Sequence, residues 1–126
     1  MNWDFEGRVA IITGGSDGIG RQTSELLAQS GATVIVCARG LDKLEATRAA
    51  IEAAGGKVET HQLDVSDDTA YASLVADVAA RHGRLDMMVN NAMSVHYAPI
   101  EHLTLDHWRK DFAVNAEAVF TGTKAA

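Results

Sequence analysis

Short apolar runs alternate with segments of helical spacing along the whole chain. Arg8 to Thr13 (RVAIIT) is rich in β-branched residues and is bounded by glycine, which predicts a strand buried on both faces. Gly18 to Ser30 follows with helical spacing: Ile19, Thr23, Leu26 and Leu27 are expected on its inward stripe, and Gly31 fits its stop. Thr33 to Ala38 (TVIVCA) predicts a second buried strand. Leu41, Leu44 and Ile51 line a second helix, closed by Gly55 and Gly56. Lys57 to Leu63 predicts a third strand. Asp67 to His82 predicts a third helix, with Leu74, Val75 and Val78 inward and Gly83 as its stop. Leu85 to Asn90 (LDMMVN) is a fourth strand. Thr104 is placed to cap a last helix, with Asp106 well sited for its dipole, and that helix is expected to run to the chain's end.

Strands separated by helices predict an α/β fold, with a parallel sheet covered on both faces. Right-handed crossovers leave few topologies, and the natural one is a Rossmann-type doubly wound sheet in the order 3-2-1-4. Pro99 is the only proline, and no Gly/Ser tract or charge block marks a linker, so residues 1–126 read as one continuous domain.

Composition narrows the classes. No apolar run approaches the roughly 20 residues a membrane helix needs. Met1 to Arg8 carries Asp4 and Glu6 without a basic leader and apolar stretch, so no secretory or transit signal is expected. Cys37 is the only cysteine, which excludes an internal disulfide and, with no signal, points to a reducing cytoplasm. The net charge of −6 argues against nucleic acid or an anionic membrane as the main partner. His61, His82, His96, His102 and His107 show no metal-ligand spacing, so no metal is expected and each reads as a single surface histidine.

The first strand runs directly into Thr13-Gly14-Gly15-Ser16-Asp17-Gly18-Ile19-Gly20, where a helix opens. Glycines are needed here for separate reasons: a sharp turn, close approach of backbone N–H groups to a pyrophosphate, and tight helix–strand packing. The helix N-terminus adds unpaired N–H donors and the positive end of a dipole. The spacing is T-G-x-x-x-G-x-G rather than G-x-G-x-x-G. Thr13, Gly14, Gly18 and Gly20 match, position by position, the first fingerprint of the short-chain dehydrogenase/reductase family, which the chain resembles from about Phe5 to its last residue. Ser16, Asp17 and Ile19 complete the candidate cofactor turn.

The resemblance implies a nicotinamide-dependent oxidoreductase that moves hydride between the cofactor and a small-molecule alcohol or ketone. Cofactor choice falls at the end of the second strand, where an acidic residue would accept the ribose hydroxyls of NAD. Here the strand ends Cys37-Ala38-Arg39. Ala38 stands where NAD-preferring members usually carry Asp, and Arg39 matches the basic residue of NADP-preferring members, able to pair with a 2′-phosphate. NADP(H) is therefore favoured, with NAD(H) the alternative. Asp17 runs against this, because some NADP-preferring members carry a basic residue there.

Further matches follow. Asp64 and Val65 correspond to the pair that touches the adenine, the Asp through its side chain and the next residue through its backbone. Ser66 and Asp67 are equal candidates for capping the helix beyond. Asn90-Asn91-Ala92-Met93 resembles the Asn-Asn-Ala-Gly motif. Its first Asn ties neighbouring strands, and the following backbone, at Asn91 and Ala92, passes the cofactor ribose. Met93 replaces the glycine; it either crowds the nicotinamide end and the substrate entrance or points harmlessly outward. Trp108, Phe112, Asn115 and Val119, spaced by four, three and four, are expected on one packed helical face. Asn115 matches the family's catalytic Asn, which helps hold a water in the proton relay.

The resemblance covers only the first half of the family's usual length. The family's Ser and Tyr-x-x-x-Lys have no counterpart, since neither Tyr71 nor Tyr97 precedes a Lys by four residues. The chain alone is thus expected to be inactive, and its sheet incomplete at the fourth strand's edge. Two readings stand: the cofactor-binding half of a longer oxidoreductase, a homo-oligomer when complete, or a truncated member serving as a non-catalytic nucleotide-binding or regulatory module. The glycine spacing together with Asn-Asn-Ala argues against another Rossmann-like enzyme such as a methyltransferase.

Overall fold

The structure, a computed structural model, describes residues 3–126; Met1 and the residue after it, part of the leader reading, lie outside the described residues. The elements alternate as β1 (Val9–Thr13), α1 (Gly18–Gln29), β2 (Thr33–Ala38), α2 (Leu41–Ala53), β3 (Lys57–Gln62), α3 (Asp68–His82) and β4 (Met87–Val89). A short 3-10 turn (Ile100–His102) leads to α4 (Leu105–Phe112), a π turn (Ala113–Glu117) and α5 (Ala118–Ala125). All strand pairs are parallel, in the order β3-β2-β1-β4, the expected doubly wound arrangement with β4 at one edge.

The side-chain alternation of β1 and β2 divides the core into two layers. Val9, Ile11, Ile35 and Cys37 pack with Tyr71, Val75 and Val78 of α3 and Ala118 of α5. Ala10, Ile12, Val34 and Val36 pack on the other face with Ala28 of α1 and Leu44 and Ile51 of α2. Burial on both sides is why these strands read as unbroken apolar runs. Asp86 fixes the start of β4: its carboxylate accepts from Val9 N (2.9 Å), and its own N–H donates to Val9 O (2.9 Å). Arg84 and Arg8 flank that carboxylate and hold it well below the usual range, the Arg84 bond being the larger cause.

Three helical faces differ from expectation. On α1 the buried residues are Gly20, Ser24 and Ala28, while Ile19 and Leu26 are exposed. Small side chains form the closest contact with the sheet, Leu27 packs at the border of the core as expected, and Ile19 and Leu26 are turned out. On α2 the inward residues are Leu44, Thr47 and Ile51, and Leu41 is exposed at the first turn. On α3 the fully buried positions are Tyr71, Val75 and Val78, with Leu74 packed at the border. Asp67 caps α3 by accepting from Ala70 N (3.1 Å), which decides between the two cap candidates, and Gly83 ends it at φ 73°.

The last helix is interrupted. Thr104 caps α4 by accepting from His107 N (3.2 Å), as expected. The π turn that follows adds a residue, which rotates the downstream helix by about 100° relative to a 3.6-residue period. Val119 is thereby set off the stripe of Trp108 and Phe112, and the face expected to be packed is open: Trp108 is 60%, Phe112 46% and Val119 38% exposed. Trp108 and Phe112 stack on each other at 4.4 Å instead. It is Ala118 and Gly122 of α5 that pack against α3, and at Gly122 the Tyr71 hydroxyl leaves no room for a side chain. No helix of the described residues is long and apolar enough to cross a membrane.

Candidate functional site

The loops leaving the C-terminal ends of β1 and β4 are locked together around Thr13. Its buried hydroxyl donates to Val89 O (3.3 Å) and accepts from Asn91 N (3.0 Å) and Ala92 N (3.1 Å). The Asn91 amide donates to both Thr13 O (3.1 Å) and Gly14 O (3.0 Å). This crowding explains the glycines. A Cβ on Gly14, which sits at φ 62°, would stand 2.9 Å from Ala92 Cα. A Cβ on Gly20 would run into Gly14 O and the Asn91 amide. Gly15, which the fingerprint leaves unspecified, is equally constrained: its Cβ would meet Ile12 O and Val36 Cγ1 at 2.9 Å.

Asn91, not Asn90, ties β4 to β1, which corrects the role expected for the first Asn. The cause is the strand's two-residue alternation. Asn91 shares the side of Val89, toward β1 and α1. Asn90 shares the side of Met88, where its Oδ1 accepts from the Tyr71 hydroxyl (2.7 Å) and its Nδ2 donates to Thr123 (3.4 Å). Burial pushes the Tyr71 phenol up to about 12, so at neutral pH it is a protonated donor.

Asp17 caps α1. Its Oδ1 accepts from Gly18 N (2.9 Å) and its Oδ2 from the Lys43 ammonium (2.6 Å). The Lys43 bond, and after it the Gly18 bond, hold this carboxyl below its usual range. Ser16 is buried, and its carbonyl accepts from the Thr47 hydroxyl (3.4 Å). Gly18 has open space around it but sits at φ 49°, so its requirement is conformational. Ile19 projects into solvent at 80% exposure.

A groove of about 420 Å³ runs across the ends of the strands and brings together Gly14, Ser16, Asp17, Arg39, Asp64, Val65 and Ala92 of the expected site. Thr13, Gly20 and Asn91 support its wall from behind rather than lining it, and Gly18, Ile19 and Asn115 stand outside the lining. Arg39 is positioned through its carbonyl, which accepts from Gln62 Nε2 (2.9 Å). Asp64 accepts from Ser66 Oγ (2.6 Å) and Ser66 N (3.0 Å), bonds that keep its carboxyl below the usual range. Cys37 lies beneath the groove, and burial pushes its thiol up to about 12, so it is an inert thiol rather than a nucleophile. Met93 borders the groove with its side chain largely exposed.

Asn115 lies in the π turn and pairs with the Ser94 backbone, accepting from Ser94 N (2.9 Å) and donating to Ser94 O (2.7 Å). The amide expected to find partners in a packed face finds them on the loop after β4. That loop is held by a second group missed in the sequence. Asp111 accepts from Ser94 Oγ (2.8 Å) and His96 N (3.2 Å) and pairs with His96 Nδ1 (2.8 Å). His96 also stacks on His107 at 4.4 Å, so these two are not the isolated surface histidines expected. The roles of Lys43, Asp86, Tyr71 and Asp111 are not legible in the sequence, because each acts through a partner distant in the chain. No cluster of three or more His, Cys, Asp or Glu able to hold a metal is present among the described residues.

This doubly wound sheet with a glycine turn at the mouth of β1 has many counterparts. The model of the short chain dehydrogenase family matches residues 8–126, and the chain belongs to that family. An uncharacterized oxidoreductase of Methylorubrum extorquens is 42% identical over 123 residues, 97% of this chain and 50% of that protein. A metagenomic short-chain oxidoreductase in complex with NADP superposes with a TM-score of 0.91 at 38% identity, covering 95% of this chain and 55% of that one. A short chain dehydrogenase from Burkholderia cenocepacia in complex with NADP gives 0.90 at 36% identity, covering 96% of this chain and 50% of that one. The chain spans about half the length of the curated relatives it matches.

Proposed function

We propose that this chain is the cofactor-binding part, one domain over residues 1–126, of an NADP(H)-dependent oxidoreductase acting on an alcohol or ketone. The observation that carries the reading is the cradle in which Gly14 and Gly20 leave no space for a Cβ, opening onto a groove with Arg39 at its rim. Bare backbone at a helix N-terminus suits a pyrophosphate, and a guanidinium at the end of β2 suits a 2′-phosphate. The two NADP-bound relatives support the same cofactor, with NAD(H) the alternative.

In this reading the N–H groups of Ile19 and Gly20, with the turn from Gly14 to Asp17, hold the pyrophosphate, while Gly18, whose N–H is taken by Asp17, supplies the positive φ that the turn needs. Thr13 and Asn91 keep the turn rigid. Asp64 and the Val65 backbone receive the adenine, and the Ala92 backbone borders the nicotinamide ribose. The bound nicotinamide supplies or accepts the hydride. Asn115 spends two of its hydrogen-bonding positions on Ser94 and keeps one N–H and one lone pair for a relay water. Replacing Arg39 with Ala is expected to weaken NADP(H) by about 1.5–3 kcal/mol and to leave NAD(H) nearly unchanged. Calorimetric titration of both cofactors checks this, and equal losses remove Arg39 from the phosphate site.

A second reading is a nucleotide-binding module without chemistry, and the tyrosines of this chain bear only on its own turnover. Tyr71 is fully buried on Asn90, Tyr97 is 88% exposed on a loop, and neither precedes a Lys by four residues. The 126-residue chain is expected to show no turnover of alcohols or ketones. Reduction of NADP+ above background by the purified chain, with contaminating enzymes excluded, would contradict this.

A further inference from the structure

We propose that Lys43 is a second cation of the ribose 2′-phosphate site and sets cofactor preference together with Arg39. This rests on the NADP(H) reading above and adds a residue to it.

The starting point is a conflict. Asp17 places a carboxylate at the rim where the phosphate would lie, which by charge alone disfavours NADP(H). The structure resolves the conflict through a residue 26 positions away in the chain: the Lys43 ammonium meets Asp17 Oδ2 at 2.6 Å. The other Asp17 oxygen is occupied by Gly18 N at 2.9 Å. Both oxygens are thus engaged and the negative charge is offset. An ammonium has three donors, so two remain on Lys43 after this bond. Lys43, Asp17, Arg39 and Gly40 line the same groove, and Arg39 and Lys43 flank the start of α2, whose N-cap is Gly40.

The position of Lys43 in its helix points the same way. It is the third residue of α2, whose first turn starts at Leu41, and a cation there opposes the helix dipole. A lysine placed for helix stability would stand at the other end. A solvent-exposed pair such as this one also adds little to folding. Tethering by Asp17 instead holds a long, flexible side chain at the groove, reducing the ordering cost of binding a phosphate.

The test uses the two adenosine halves of the cofactors, adenosine 2′,5′-bisphosphate and 5′-AMP, which differ only in the 2′-phosphate. Each is titrated calorimetrically into the chain and into its Lys43→Gln, Lys43→Arg and Arg39→Ala variants, with far-UV circular dichroism confirming that each is folded. Lys43→Gln is expected to weaken the bisphosphate roughly tenfold and to change 5′-AMP by less than about twofold. Lys43→Arg is expected to keep the preference. If Arg39→Ala is selective but Lys43→Gln weakens both ligands equally, or neither, Lys43 is a surface residue and the proposal is overturned while the NADP(H) reading stands. If the parent chain does not distinguish the two ligands, the NADP(H) reading falls, and this proposal with it.

Discussion

Replacing Gly20 with Ala is expected to destabilise the fold by about 3 kcal/mol or more and to abolish nucleotide binding. In most helices the same change is favourable by about 1 kcal/mol, because Ala is the better helix former. Here the sign reverses. The new Cβ would overlap Gly14 O and the Asn91 amide, and it would stand 2.9 Å from Gly14 C. Two of these atoms are backbone in a turn already fixed by the Asn91 amide and the Thr13 hydroxyl, so nothing there is free to yield. Overpacking of a tight site costs about 1–3 kcal/mol and more where backbone must move. If α1 shifts away to relieve it, the turn from Gly14 to Asp17 opens, and the N–H groups lose their common focus. Gly18→Ala is the contrasting variant: no atom lies within 4 Å of its Cβ, and only the φ of 49° is strained, a cost of about 1–2 kcal/mol. Thermal melts and adenosine bisphosphate titrations of both variants check this. A Gly20→Ala protein that melts at or above the parent and binds equally well would show that α1 does not need this contact.

The sequence made the strand order legible because β1 and β2 are apolar runs followed by helical segments, and parallel crossovers admit few arrangements. β2 is the strand read with both ends correct, Thr33 to Ala38, since it is paired on both sides along its whole length. The apolar pattern of β4 spans Leu85 to Asn90, but the strand pairs only from Met87 to Val89, because one neighbour, β1, defines it. Helical faces were less legible where packing is closest. A hydrophobic stripe is a pattern of large residues, whereas α1 buries Gly20, Ser24 and Ala28 and exposes Ile19 and Leu26. The period also fails across the π turn, which sets Val119 off the stripe shared by Trp108 and Phe112. In the candidate site the glycine turn was legible from local spacing. The Lys43–Asp17 pair, the Tyr71–Asn90 bond and the Asp111–His96 contact were not, because each joins residues at least 15 positions apart that nothing local connects.

The chain on its own is expected to self-associate at micromolar concentration, and its two sheet edges show why. At the β3 edge, Lys57, Glu59 and His61 place charged or polar groups along one face of the strand. Glu59 is tied to Arg81 (2.9 Å) and His82 (2.7 Å) of α3. Charges of this kind discourage pairing with another chain. The β4 edge has no such protection. Met87, Met88 and Val89 are only partly buried, the strand pairs on one side alone, and it contains no proline. The last helix adds apolar surface: Leu105 is 66%, Trp108 60% and Phe120 67% exposed. An apolar edge strand beside an uncovered aromatic helix face exceeds what monomers usually expose. Fully burying one large side chain of this type is worth about 1.5–3 kcal/mol, so a few of them suffice to drive association. Sedimentation velocity on freshly purified protein is expected to show dimers or larger species. A charged substitution at the edge, Met88→Lys, is not a clean control, because Met88 also packs under Tyr71. Trp108→Glu and Phe120→Glu lie on exposed surface and are expected to shift the distribution toward monomer without lowering the melting temperature. A sharp monomer that unfolds cooperatively would mean that this surface needs no cover, and it would favour the reading of the chain as a nucleotide-binding module in its own right.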